Sequence, residues 1–185
     1  MKIIFSDKKP RDECAIFGVS RNSQAAQLVA LGLHALQHRG QDSTGIVTTD
    51  NINFFAHRGM GQVSEVFSDK NVFSHLKGEL SIGHNRYGTT GESALKNVQP
   101  LFSELNIGGV AIAHNGNLTN TNFLREEFIK DGAIFQSTSD TEVILHLISR
   151  SKGDLIDRLI YSLHSIKGAY SCLLYTSDAA DERSC

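Results

Sequence analysis

Five short stretches hold the residues best able to do chemistry, each a run of small and polar residues beside an apolar one. They are ECAIFGV at 13–19, LQHRGQDSTGI at 36–46, IGHNRYGTTG at 82–91, AHNGNLTN at 113–120 and STSDTEVI at 137–144. Among them are a thiol at Cys14, a guanidinium at Arg86, an Asn115-Gly116 pair and a carboxylate at Asp140. Cysteine is the best nucleophile among the common side chains because some thiolate exists near neutral pH. Taken singly, each residue also has an ordinary reading. Cys14 before an apolar run is a small core residue, and Arg86 in a strand is a surface ion-pair partner. Asn115-Gly116 is a type I′ hairpin turn, and Asp140 is a helix N-cap. Their joint placement, where strands end or helices begin, is what marks a pocket, because sites gather on loops held by a rigid scaffold.

The elements that must position them can be read from the apolar pattern. Ala15–Val19 is a short apolar run suited to a buried strand. Residues 23–38 are apolar nearly all round and predict a mostly buried helix, capped by Ser23 and stopped near Gly40. Strands are expected at 45–49 and 52–57, split by the Asp50-Asn51 turn signal, and again at 80–87 and 110–114. Helical spacing covers 120–130, 140–149 and 154–167, in the last two with charges mostly opposite the Ile and Leu positions, and 168–174 returns to a strand. Strands cluster early and helices interleave without regular βαβ spacing, which predicts an α+β layered fold.

The totals narrow the function. At 185 residues the chain fits one domain, and a net charge of −2 with scattered Lys and Arg gives no footprint for nucleic acid or an anionic membrane. Cysteines stand only at 14, 172 and 185, without a CxxC pair, so neither a disulfide framework nor a Cys-rich zinc site is expected. No stretch approaches the ~18 apolar residues needed to cross a bilayer. A soluble protein in a reducing cytoplasm is the expectation. The run CLLYTSDAADE at 172–182 resembles the conceptual translation of a sequencing-library adapter, and an apolar strand breaks there into a charged stretch. Residues 172–185 are therefore expected to make few specific contacts.

These segments closely resemble the glutaminase domain of class II glutamine amidotransferases, from Glu13 to about Ser171. LQHRGQDSTGI, HNRYGTTGE, NVQPLF and AHNGNLTN are closest to the amidophosphoribosyltransferase branch. The glucosamine-6-phosphate synthase branch shares the HRG/YRG, HNG and TDTE-like elements but not the wording around Arg86 and Pro100. Ala15 departs from the glycine usual after the nucleophile. The resemblance implies a four-layer αββα N-terminal-nucleophile hydrolase sandwich, incomplete at the C-terminus. It implies Cys14 as the nucleophile on glutamine's side-chain amide, with its own α-amine as base. A free α-amine has a pKa of about 7.7–8.0, suited to taking and returning a proton near neutrality. Asn115 and Gly116 correspond to the oxyanion hole, Arg86 to the residue that binds glutamine's α-carboxylate, and Asp140 to the partner of its α-ammonium. Gly40 falls on a loop near the site.

Cys14 cannot use its amine while Glu13 is attached, so the resemblance implies that Met1–Glu13 is a propeptide cut at Glu13–Cys14. The expected organisation is this leader, a partial glutaminase domain at 14–171 and the adapter-like tail at 172–185. A phosphoribosyltransferase domain, with its Mg²⁺ and in some relatives an iron–sulfur cluster, is expected beyond this sequence, and no metal site within it. The implied whole reaction passes ammonia from glutamine to phosphoribosyl pyrophosphate, giving 5-phosphoribosylamine in the first step of purine synthesis, in an enzyme expected to be a homo-oligomer. The rival readings are a glucosamine-6-phosphate synthase-type glutaminase and a non-catalytic glutamine-binding fragment.

Overall fold

The structure, a computed structural model, describes residues 14–88 and 94–177. The leader at 1–13 and the end of the tail at 178–185 lie outside the described residues, as does the TTGES stretch at 89–93. Two antiparallel sheets face each other, with helices on both outer sides, which is the expected four-layer αββα arrangement. The first sheet holds β1 (Ala15–Val19), β2 (Ser43–Thr49), β3 (Phe54–Met60) and β4 (Leu80–Arg86), in the order β1-β4-β2-β3. The second holds β5 (Leu101–Leu105), β6 (Gly108–Leu118) and β7 (Gly168–Thr176), in that order.

Strand alternation sorts the side chains into three apolar layers. Ile16, Val47 and Ile82 of the first sheet meet Ala111, Ala113 and Leu173 of the second. On the outer side of the first sheet, α1 (Ala25–Ala35) buries Ala26, Val29 and Leu33 against Ile46 and two short helices, α2 (Val63–Val66) and α3 (Val72–His75). On the outer side of the second, α5 (Thr141–Arg150) buries Val143, Ile144, Leu147 and Ile148 against Val110, Ile112 and Leu118. Each fully buried side chain of this size is worth about 1.5–3 kcal/mol of transfer free energy. Two further helices, α4 (Thr121–Lys130) and α6 (Leu155–Ser165), complete that outer layer.

Several sequence expectations need correction. Ser23 does not cap α1: Gln24 takes that position, and the Asn22 side chain accepts the Gln24 N–H at 2.8 Å. The helix is apolar nearly all round but not buried all round, since Leu31 is 65% exposed. In α6 the side facing the core carries Arg158 and Ser162, while Ile156, Ile160 and Leu163 are exposed. Arg158 is tolerated there because its guanidinium reaches the Gly153 and Ile148 carbonyls and Asn106 Oδ1 at 2.9–3.3 Å. Asn115-Gly116 is no turn but lies within β6. The expectation of few contacts from residue 172 fails over Cys172–Ser177. β7 pairs with β6 without a break from Leu118↔Gly168 to Val110↔Thr176, and Ser177 N–H donates to the Gly109 carbonyl at 2.9 Å. CLLYT supplies β-forming residues that pack on both faces, Cys172 and Leu174 toward the α5 side and Leu173 toward the first sheet, so the ladder runs through it.

Candidate active site

Cys14 immediately precedes β1. Across the sheet lies the end of β4, and the Tyr87 N–H donates toward Cys14 Sγ at 3.4 Å while Sγ sits 3.9 Å from the Tyr87 carbonyl. Burial raises the thiol pKa above its ordinary 9.0, and Asp140 adds to the rise. The Tyr87 hydrogen bond and the positive charge of Arg86 oppose it without reversing it. With Glu13 attached, this cysteine is therefore a thiol near neutral pH, and a base is required to activate it.

Arg86 is buried at the end of β4, opposite Ser43 of β2. Its carbonyl accepts the Asp42 N–H at 3.0 Å, and Gly40 packs directly on its main chain. A Cβ at Gly40 would stand 2.7 Å from the Arg86 carbonyl carbon and 2.8 Å from its oxygen, so the HRG loop can approach only with glycine there. Arg39 of the same loop donates its Nε–H to the Cys14 carbonyl at 3.4 Å.

Asp140 holds the N-cap position of α5 but makes no capping hydrogen bond. Its Oδ2 accepts the Leu118 N–H at 3.2 Å, and its Oδ1 lies 3.5 Å from His114 Nδ1. Burial alone would raise the carboxyl pKa. The His114 hydrogen bond and charge, with the N–H groups of Leu118 and Thr141, outweigh it and hold the group below its ordinary value. Asp140 therefore presents a fixed negative charge.

Asn115 and Gly116 follow His114 along β6, with Asn115 half-buried and Gly116 exposed. Neighbouring residues of a strand direct their main-chain groups to opposite sides. Gly109 bonds Ser177 on the β7 side, whereas His114 bonds the Gln99 side chain on the β5 side. Gly116, two residues on from His114, turns its N–H to that same β5 side. The β5 ladder has already ended there, at Leu101↔Ile112.

The five residues expected from sequence thus fall at one end of the sandwich. Cys14, Arg86 and Asp140 share one electrostatic environment. Asn115 and Gly116 join them through β6, whose His114 touches Asp140 and which packs against β1 and β4. Arg39, His114 and the Tyr87 main chain were not singled out from sequence. The HRG, HNG and RYG words contain them, but their contacts join segments far apart in the chain. A cavity of about 490 Å³ elsewhere, lined by Arg58, Phe102, Glu142 and His146 among others, contains none of the five. Among the described residues no three His, Cys, Asp or Glu side chains come together to hold a metal ion.

The glutamine amidotransferase domain family matches residues 84–183, more than half of the chain. An amidophosphoribosyltransferase of Lacticaseibacillus casei is 45% identical over 166 residues, covering 89% of this chain and 86% of that one. The chain belongs to the amidophosphoribosyltransferase family. A second relative of that name, from Rhizobium etli, is 53% identical over 166 residues, covering 89% of this chain and 34% of its own length. The chain therefore spans about a third of that relative, the part carrying the glutamine amidotransferase domain. A solved structure described as the allosteric regulatory enzyme of purine biosynthesis superposes with a TM-score of 0.83 at 46% identity, covering 88% of this chain and 35% of that one. The αββα fold is accordingly that of the family's N-terminal-nucleophile glutaminase domain. Among the described residues no helix is long and apolar enough to cross a membrane.

Proposed function

We propose that this chain is the glutamine-hydrolysing unit of an amidophosphoribosyltransferase. The observation that carries the reading is the half-buried Cys14 thiol within reach of the charges of a guanidinium and a carboxylate, Arg86 and Asp140, that act on it with opposite sign. Free glutamine has a matching pair of charges on its α-carbon, which simple amides lack. Arg86 would pair its α-carboxylate and Asp140 its α-ammonium, leaving the side-chain amide to reach Cys14. Cys14 Sγ attacks the amide carbon while its proton passes to the α-amine. Asn115 Nδ2 and the Gly116 N–H stabilise the oxyanion that forms. The amine returns the proton to the departing nitrogen, ammonia leaves, and water opens the thioester to give glutamate.

The α-amine is free only once Glu13–Cys14 is cut. Attack by Sγ on the Glu13 carbonyl would move the acyl group from nitrogen to sulfur, and water would then release the leader. In the complete protein the ammonia would pass to phosphoribosyl pyrophosphate, giving 5-phosphoribosylamine and pyrophosphate, with Mg²⁺ held by that other part. A homo-oligomer in the cytoplasm, where Cys14 stays reduced, fits this reading. The family assignment favours this acceptor over a sugar phosphate.

The test is Cys14→Ala in the full-length protein. It should abolish glutamine hydrolysis and leave the leader attached, as read by N-terminal sequencing. More than a few per cent residual hydrolysis would rule out Cys14 as nucleophile.

A further inference from the structure

The ladder between β5 and β6 ends at Leu101↔Ile112, and the same register carried two residues further would set Gln99 opposite His114. No main-chain pairing continues there. Instead the Gln99 side chain does what a strand would do. His114 N–H donates to Gln99 Oε1 at 2.7 Å, and Gln99 Nε2 donates to the His114 carbonyl at 3.3 Å. Two residues earlier, Asn97 repeats the pattern on another segment. Thr138 N–H donates to Asn97 Oδ1, and Asn97 Nδ2 donates to Thr138 Oγ1, both at 2.8 Å. All of these groups except Thr138 belong to buried residues, Gln99 being 6% and Asn97 1% exposed. The intervening Val98 is also buried, and its carbonyl is held by Arg58 at 3.2 Å. On the facing sheet, a Cβ at Gly45 would run into the Gln99 carbonyl oxygen, so this segment is wedged between the sheets.

What the two amides hold is the site itself. His114 directly precedes Asn115 and Gly116, and Thr138 stands two residues before Asp140. We infer that Asn97 and Gln99 are positioning residues. One short segment, through two reciprocal side-chain amide clamps, fixes the oxyanion donors on β6 and the head-group carboxylate before α5 relative to each other. The inference rests on the roles proposed above for Asn115 and Asp140. A side-chain clamp in place of a strand also has a consequence for chemistry. A continuing β5 would extend toward the Gly116 N–H, whereas Gln99 satisfies His114 and stops, leaving the next donor on that side for an oxyanion.

The two clamps predict different kinetic signatures, which a merely structural role would not produce. Gln99→Met keeps the side-chain length and loses both hydrogen bonds. In the full-length enzyme it should lower kcat for glutamine hydrolysis about ten- to hundredfold with little change in KM, because misplacement of a donor by about an ångström costs rates of that order. Gln99→Glu keeps the acceptor for His114 N–H but sets an oxygen against the His114 carbonyl, and should fall in the same direction. Asn97→Ala should instead raise KM for glutamine severalfold with a smaller effect on kcat. Its effect is the more modest because Arg125 also holds the Ser137 and Ser139 carbonyls at 3.0 Å. Ammonia-dependent synthesis should stay within twofold of wild type in all three. A second arm adds Gln99→Met to Asn115→Ala. The double variant should be slower than Asn115→Ala alone by much less than Gln99→Met is slower than wild type, since the Asn115 donor is already gone and only the Gly116 N–H can still be misplaced. A folded Gln99→Met with kcat within twofold of wild type, beside a crippled Asn115→Ala, would overturn the positioning role alone. Full additivity, or equal loss of the ammonia route, would do the same. Near-normal kcat in Asn115→Ala would remove the oxyanion reading on which the inference stands.

Discussion

Cys14 carries two opposing influences at the scale of one residue. The Arg86 charge and the Tyr87 N–H favour thiolate, but burial is the larger effect and the thiol pKa ends above 9.0. A cysteine tuned only by a cation would be a thiolate at neutral pH; this one waits for a base. Iodoacetamide alkylation of Cys14 in leader-bearing protein should therefore rise with pH and be half-maximal above pH 9, followed by mass spectrometry of the Cys14 peptide. Cys172, pushed up to about 11 chiefly by burial, should react later still. A Cys14 midpoint near neutrality would mean that the cationic surroundings dominate. Arg86 and Asp140 call for a different measurement. Loss of either should weaken glutamine binding strongly, by leaving a ligand charge desolvated and unpaired. Ammonia-dependent synthesis in the full-length enzyme should survive. Equal loss of both routes in Arg86→Ala would make Arg86 a structural residue.

At the scale of elements, the site depends on close main-chain approaches that no single strand or helix specifies. The 3-10 turn Gln37–Arg39 leads into Gly40, whose missing side chain lets the loop lie on the Arg86 main chain. Gln37 braces it from both sides, donating to the Gly40 carbonyl at 2.6 Å and accepting the Val63 N–H at 2.8 Å. Gly40→Ala should force β4 and this loop apart. The expected cost is about 1–3 kcal/mol of stability, typical of overpacking, together with a raised KM for glutamine as Arg86 shifts. Thermal unfolding and steady-state kinetics check both parts. A variant with unchanged Tm and KM would show that the loop can move away at no cost.

For the whole molecule, the contact between the two sheets sets the response to acid. His84 is fully buried, and neither of its ring nitrogens has a hydrogen-bond partner. Burial first, then the neighbouring His114 and Arg86, push its pKa from 6.5 to about 3, while the His114 main chain and Asp140 pull the other way and lose. The folded chain keeps His84 neutral where the unfolded chain protonates it. Between about pH 6.5 and 3 the unfolded state binds the extra proton, so stability falls as pH falls, by on the order of 1.4 kcal/mol per pH unit from this group. Asp140, with its pKa lowered, adds stability above the ordinary carboxyl value that is lost only as pH drops through its folded pKa. Urea unfolding between pH 4 and 6 should therefore show a steep slope that His84→Met flattens by about 1 kcal/mol per pH unit. An unchanged slope would mean that His84 takes up its proton without unfolding.

Much of this was already determined by local sequence. Ala15–Val19 forms its strand as read, and the helices at 121–130, 141–150 and 155–165 arise where 3.6-residue periodicity placed them, because periodicity and caps are short-range properties. The five candidate site residues could be named in advance through the resemblance to class II glutamine amidotransferases, whose motifs carry them. Tertiary structure decided the rest. Leu101–Leu105 carries too little apolar alternation to stand out, and becomes a strand only because β6 lies beside it. The Asn115-Gly116 pair satisfies every local rule for a turn, yet β7 and the Gln99 clamp hold it extended. Asp140 satisfies the local rule for a cap, yet its carboxylate goes to His114 and Leu118. In each case the local preference is about a kilocalorie per mole, and long-range pairing outweighs it. The residues that can react are written in the sequence. The amides and glycines that hold them in place become recognisable only when segments far apart in the chain meet.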